Sequence, residues 1–461
     1  MSGASSWWCA HVWTGTGTVE HDVLVTVDDG RFTRVEPGTA RPAGVPVLRG
    51  LVVPGLANAH SHAFHRALRA RTQRDRGSFW TWRDLMYRAA DRLTPDSYRE
   101  LAIAVFGEMA LAGITCVGEF HYLHHDRGGT RYAEPNETGL ALADAARAAG
   151  IRLTLLDTCY LSSDVDGSPV VGTQARFSDG SGDAWAARVD ELHRSLSGVD
   201  GIVVGAAVHS VRAVPTAHLP AVVEWAAARR APLHAHVAEQ TAEVARCLEV
   251  HGRTPVELLG DHGVLGPRTT AVHATHLTGT DIATLHATGT GTCFCPTTER
   301  DLGDGIGPAP ALLAGPPGAG PFSLGSDSHA VIDLLEEARA VELDERLHRR
   351  ERGVLAADTL LTCATRHGHR ALGHTDAGTI TPGARADLVA LDLESVRTAG
   401  GGPTAETAVF AASAADVTDV IVDGRVVVRE GRHRTLSDLP RLLATAVSAL
   451  LDPDATGKDA A

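Results

Sequence analysis

Pro54-Gly55-Leu56-Ala57-Asn58-Ala59-His60-Ser61-His62 is the stretch from which the rest of the chain is best read. An apolar run meets a Pro-Gly pair, resumes, and closes on two histidines one residue apart. In extended chain, residues i and i+2 point to the same side. His60 and His62 can therefore hold one metal ion together while Ser61 faces away. Two unrelated histidines at a strand end would look the same in isolation, so the weight falls on what recurs downstream.

The same arrangement does recur. Strand candidates are Leu51–Val53, Thr115–Phe120, Arg152–Leu156, Ile202–Val208, Pro232–Val237, Thr270–Ala274, Thr292–Cys295 and Phe322–Gly325. Amphipathic helical stretches lie between most of them, among them Glu137–Ala149, Ala184–Leu196, His218–Arg229 and Glu239–His251. Strands alternating with helices in this number predict an α/β fold, a closed parallel (β/α)8 barrel of the TIM type. The side chains able to do chemistry fall just after the strands: His60 and His62, Glu119 to Tyr122, His209, His236, His273 and Asp327. Barrel strands deliver such ends to one face, where active sites are built.

Outside the barrel, Asp22–Val27 and Arg31–Val35 flank an Asp28-Asp29-Gly30 turn, a hairpin signal. Matching β segments return late, at Ala386–Leu391 and Val417–Glu430. The expected organisation is a small discontinuous β-sandwich domain from 1–52 plus 381–440, a hydrolase barrel over 53–380, and a C-terminal helix and tail over 441–461. The Gly-, Pro- and Ala-rich segment Pro308–Pro321 is expected to be an irregular excursion above strand eight. The tail Asp452–Ala461 is expected to be disordered.

Composition narrows the function classes. The 461 residues are 44% hydrophobic and 21% charged, ordinary for a globular protein. A net charge of -14 repels polyanions, which argues against nucleic acid and anionic membrane as partners. No run of 18 apolar residues exists, and the start lacks a basic region followed by an apolar one, so neither a membrane span nor a signal peptide is expected. Seven scattered cysteines suit reduced thiols in a cytoplasmic protein better than a disulfide framework. Lys458 is the only lysine, and in so arginine-rich a chain a lone arginine is weak support for an anion site.

Three further segments complete the metal-like pattern: His234-Ala235-His236-Val237-Ala238-Glu239, His273-Ala274-Thr275-His276, and Gly325-Ser326-Asp327-Ser328-His329. Spacing alone leaves His234 and His236 equivalent. In order and placement the series resembles the amidohydrolase superfamily, specifically its deaminase branch with one divalent metal. The resemblance covers nearly the whole chain, including Pro382-Gly383-Ala384-Arg385-Ala386-Asp387-Leu388. It implies His60, His62, His236 and Asp327 as metal ligands, and it is this resemblance that selects His236. It implies Glu239, His273 and Asp327 as catalytic groups acting on substrate and hydrolytic water. Dinuclear relatives commonly bridge two metals with a lysine at strand four, and Lys458 in the tail cannot do so. Zinc is the default ion, with iron or manganese also feasible.

Several stretches sharpen the substrate class: Ala63–Leu68, Ser78–Tyr87, Glu119–His125, His209–Val214 and Cys295–Gly305. They resemble the members that deiminate a formimino group carried on glutamate more than guanine, cytosine or triazine deaminases. The resemblance implies that Arg83, Tyr122, His209 and Arg212 bind the glutamate part, and arginine's fork suits a carboxylate. His65 stands where many relatives carry glutamine, and either side chain can hydrogen-bond such a ligand. Trp80-Thr81-Trp82 is expected mainly to pack the loop helix, Arg66 and Arg69 to be surface or lid charges, and His121, His124, His125 and His276 to lie outside the metal set. The expected ligand is a small molecule and the expected assembly a homodimer. Competing readings are a deaminase of another carboxylated amidine or guanidine or of a nucleobase, and a non-catalytic binding protein of the same descent.

Overall fold

The computed structural model describes residues 5–73 and 79–451, without the side chains of Phe79 and Trp80. Ser78, the tail 452–461 and Lys458 lie outside the described residues. Two eight-stranded sheets organise the chain. The first is mixed and draws on both ends: β1 (Ser5–Trp13), β2 (Val19–Asp28), β3 (Arg31–Glu36), β4 (Val47–Pro54) from one, and, after the barrel, β13 (Leu388–Leu391), β14 (Val417–Val422), β15 (Arg425–Arg429) and β16 (Arg432–His433) from the other. β4 joins the halves, running parallel to β1 and antiparallel to β13.

The second sheet is the barrel: β5 (Leu56–Ser61), β6 (Ile114–His121), β7 (Arg152–Cys159), β8 (Ile202–Val208), β9 (Leu233–Val237), β10 (Thr269–His273), β11 (Gly291–Phe294) and β12 (Phe322–Leu324). Each strand is parallel to the next in chain order. Closure falls just past β12, where Ser326 N and Asp327 N donate to His60 O at 3.1 and 3.0 Å, and His62 N donates to Asp327 O at 3.2 Å. Nearly every strand residue is buried, as parallel strands covered on both faces require. Helices fill the connections; Glu137–Ala149 ends on Gly150 at φ 73°, a left-handed stop suited to glycine. The helical segment Gly368–Ala371 and Leu372 plug the barrel's lower end, packing against Ala57, Ala59 and Cys116.

Two expectations need correction. Leu51–Val53 is not a barrel strand: it lies within β4 of the mixed sheet, and the first barrel strand is β5. Both strands carry apolar residues next to the Pro54-Gly55 step, and Gly55 separates them; a Cβ there would stand 2.2 Å from Thr115 Oγ1 and 2.7 Å from Asp387 Cβ, so only glycine passes. The segment Pro308–Pro321 precedes strand eight and contains the short helix Ala309–Leu313, bonded through Leu312 O to His286 Nε2 at 3.0 Å. It therefore leads into the start of β12, away from the face where the strands end. All seven cysteines are buried free thiols. No helix among the described residues is long and apolar enough to cross a membrane.

Candidate active site

The carboxyl ends of the strands bring the expected groups together. His60 and His62 leave β5, His236 lies on β9, His273 ends β10, and Asp327 follows β12. One ligand-capable atom from each of His60, His62, His236 and Asp327 lies within 4.8 Å of the other three. Asp327 Oδ1 is 3.3 Å from His60 Nε2 and 3.2 Å from His62 Nε2. Several of these strand ends leave the sheet through left-handed backbone: Ala238 at φ 52°, His273 at 66°, Ala274 at 48° and Asp327 at 40°. Such conformations are costly for residues with a Cβ and cluster at functional sites.

The donor set suits a divalent metal. His62 Nδ1 bonds Phe120 O at 2.9 Å, and His236 Nδ1 bonds His209 O at 2.8 Å. A carbonyl on the outer nitrogen fixes the ring and leaves Nε2 as an inward lone pair. Both ring nitrogens of His60 are buried without a hydrogen-bond partner among the described residues, a cost that a bound cation would offset. Burial lowers the His60 pKa to about 3 and holds His236 well below the ordinary range, so both are neutral donors at pH 7. Burial opposes ionisation of Asp327, yet the His60 and His62 imidazoles outweigh it and keep its carboxyl well below the usual range. Three imidazoles and a carboxylate form a zinc-type set.

His234 and His236 share a face of β9 but differ in depth. His234 Nε2 donates to Ala371 O of the barrel plug at 3.0 Å, one layer below the cluster. His276 is half-buried and does not line the pocket, while His121 and His124 form a separate buried group with Asp157. That carboxylate is already held by Arg188 at 2.8 and 2.9 Å and by Trp185 Nε1 at 3.0 Å. Arg66 and Arg69, expected to be surface or lid charges, are instead part-buried and clamp Glu108 at 2.8 and 2.7 Å.

A pocket opens above the cluster, and His65, Arg83, Tyr122, His209, Arg212, Glu239 and His273 all line it. His65 Nε2 is 2.7 Å from Tyr122 Oη. Trp82 stands edge-on to His65 with ring centres 5.0 Å apart, so this tryptophan faces the pocket besides packing its helix. Arg83 lies over the Tyr87 ring at 5.5 Å. Arg212 reaches Glu239 and the buried Glu243, each at 3.2 Å. Glu239 Oε1 and Asp327 Oδ2 stand 3.7 and 4.0 Å from His273 Nε2.

Three buried groups were given no role by the sequence reading, although Glu119 stood among its strand-end candidates and His329 and Glu299 lay within its motif segments. Glu119 Oε2 accepts from Ser61 Oγ at 2.6 Å and Oε1 from Ala63 N at 2.6 Å, and burial pushes its pKa up to about 7. His329 Nε2 sits 3.2 Å from the same Ser61 hydroxyl. Ser61 does face away from the cluster, but into a polar clamp. Glu299 Oε1 lies 3.3 Å from His273 Nδ1. The one legible sign of it was an acid in the short helix after Pro296.

Comparison with known proteins agrees with this arrangement. The sequence signature of the amidohydrolase family matches residues 51–427. The chain is 38% identical over 436 residues to a formimidoylglutamate deiminase of Pseudomonas aeruginosa, covering 92% of this chain and 94% of that one. An amidohydrolase structure from Brucella melitensis superposes with a TM-score of 0.90 at 34% identity, covering 97% of this chain and all of that one. An adenosine deaminase structure from Xanthomonas campestris with bound zinc superposes at 0.83 and 25% identity, covering 98% of each. With its sequence signature, its barrel and its cluster of histidines and aspartate at the strand ends, the chain belongs to the amidohydrolase family, hydrolases acting on C–N bonds.

Proposed function

We propose that the chain hydrolyses N-formimino-L-glutamate to N-formyl-L-glutamate and ammonia, with one zinc ion per subunit, as a cytoplasmic homodimer serving histidine degradation. The observation that carries the substrate is a pocket setting two arginines, Arg83 and Arg212, beside the His/Asp cluster. A dicarboxylate needs such cationic partners. The Pseudomonas aeruginosa relative, named for that substrate, supports it, and the zinc in the Xanthomonas campestris structure supports the choice of metal.

His60, His62, His236 and Asp327 would hold the ion, which supplies Lewis acidity that makes a water nucleophilic near neutral pH. Asp327 accepts the proton that the attacking water gives up. His273, through Nε2, hydrogen-bonds the developing tetrahedral carbon's oxygen. Glu239 delivers one proton to the formimino nitrogen and Asp327 returns the other, so the C–N bond breaks with ammonia as a neutral leaving group while the hydroxyl proton of the tetrahedral carbon restores Glu239. The C=N double bond is replaced by a C=O double bond, and one water is consumed. Arg83, Arg212, Tyr122, His209 and His65 bind the glutamate portion, with the Tyr122 hydroxyl oriented by His65.

The test is ammonia release from N-formimino-L-glutamate by purified protein, with and without chelator. Rapid release that the chelator stops and zinc restores is the expected result. No release from zinc-loaded protein would overturn the substrate and direct the search to other carboxylated amidines or nucleobases.

A further inference from the structure

We propose that Glu299 is a positioning residue that keeps a proton on His273 Nδ1 and turns Nε2 toward Glu239 and Asp327. The inference rests on the reading above that His273 acts on the substrate. His273 needs an outside constraint, because β10 ends on it and its backbone has already left the sheet at φ 66°, followed by Ala274 at 48°. Its ring is therefore not oriented by strand geometry, and among the described residues the only side chain bonded to Nδ1 is Glu299, at 3.3 Å.

The direction of that bond follows from the other contact of the same oxygen. Glu299 Oε1 accepts the backbone N–H of Cys295 at 2.9 Å, a contact that favours the ionised carboxylate, which only accepts, with Nδ1 as the donor. The carboxylate is itself held in place. Glu299 lies in the helix Pro296–Leu302, whose start is tied down by Glu337: Thr297 N donates to Glu337 Oε2 at 2.9 Å and Thr297 Oγ1 to Oε1 at 2.5 Å. Glu299, Glu337 and His273 are all buried, so water does not compete for these bonds. A second role, closing the helix start through Cys295 N–H, accounts for one contact of Oε1 but not for its approach to the imidazole.

The experiment compares zinc-loaded wild type with Glu299→Gln, Glu299→Leu, His273→Ala and the double variant His273→Ala/Glu299→Leu. Glutamine keeps an oxygen acceptor, and leucine removes it. Expected is a kcat loss of about 10- to 100-fold for Glu299→Leu with KM nearly unchanged, and recovery of most of it in Glu299→Gln. The double variant should be no slower than His273→Ala alone, because both changes act through one ring. Losses that multiply in the double variant would overturn the proposal in favour of a helix-closing role, and equal losses in the glutamine and leucine variants would overturn it by showing that the oxygen acceptor does not carry the effect.

A second readout needs no turnover. In ¹⁵N spectra of histidine-labelled, zinc-loaded protein, the protonated Nδ1 signal that vanishes in His273→Ala should persist in Glu299→Gln and shift or disappear in Glu299→Leu. An unchanged signal in the leucine variant would sink the idea. Should Glu299→Leu not fold, Glu299→Asp replaces it, since a shorter side chain withdraws the oxygen from the ring while keeping the charge. If wild type releases no ammonia from N-formimino-L-glutamate, the substrate reading fails while the spectra still decide the role of Glu299.

Discussion

Where the barrel strands begin, Arg152 lies between Asp387 and Asp423, Thr115 Oγ1 donates to Asp387 at 3.2 Å, and Arg385 reaches Asp423 at 3.0 Å. Where the same strands end, three imidazoles crowd one carboxylate, and both nitrogens of His60 lack a hydrogen-bond partner among the described residues. The lower end pairs each of these carboxylates with a cation and so joins the mixed sheet to β6 and β7. The upper end concentrates donors whose natural complement is a cation that the chain does not supply. In a barrel, the bottom serves stability and the top serves chemistry, and here the difference is visible in whether the buried carboxylates meet arginines that the chain itself supplies.

That contrast can be broken most sharply at the top. Asp327→Asn should lower ammonia release by at least about a thousandfold while leaving the unfolding midpoint close to wild type; near-normal turnover would remove Asp327 from the site. At the bottom the expected pattern is reversed. Arg152→Ala leaves the buried Asp387 without its cation, while Asp423 keeps Arg385, and should cost about 3–5 kcal/mol in denaturant unfolding. Its kcat per folded, zinc-loaded molecule should not change, and a large kcat loss would show that the two ends are not separable.

The lower half also carries buried histidines that should make stability fall with acid. His369 Nε2 donates to Gly55 O at 3.1 Å and His234 Nε2 to Ala371 O at 3.0 Å, and burial lowers each to about 4. In the unfolded chain both titrate near about 6.5. Below that value the unfolded chain binds protons that the folded one refuses, so stability is full above roughly pH 7 and is lost as pH falls toward 4. The two together give a slope of up to about 2.7 kcal/mol per pH unit, readable from urea unfolding at pH 7.5 and 5.5. A flat profile would mean that neither is buried as a neutral base.

The smallest expected effect lies between the two ends in character. Arg212 is already paired with Glu239 and Glu243, so it resembles the bottom in satisfaction and the top in location. Arg212→Ala should reduce kcat/KM by about 10- to 100-fold, chiefly through KM. A loss confined to kcat would instead assign Arg212 to the control of Glu239.

The metal-like set was legible in the chain because its members carry their own signal: His60-Ser61-His62, His236, His273 and Asp327 each close a short apolar run. Seven of the eight barrel strands were legible for the same reason. The first was not, because Leu51–Val53 and Leu56–Ala59 are both apolar runs, and which sheet takes which depends on the close passage of Gly55 past Thr115 and Asp387. Choosing His236 over His234 took resemblance, since the two share a face and differ only in depth along β9, a distance that the Ala371 plug makes meaningful.

By itself, then, the sequence determined the alternation of strand and helix, the residue types at the strand ends, and through resemblance the family. These follow from local periodicity and from side chains whose chemistry is carried by type. Only the tertiary structure decided that Ser61 is clamped by Glu119 and His329, that Arg66 and Arg69 hold Glu108, that Arg152 pairs with Asp387 across 235 positions, and that Glu299 meets His273. Such partners are separated by tens to hundreds of residues and are matched by burial, where an unpaired polar atom is expensive. That cost exists only once the chain has closed around them.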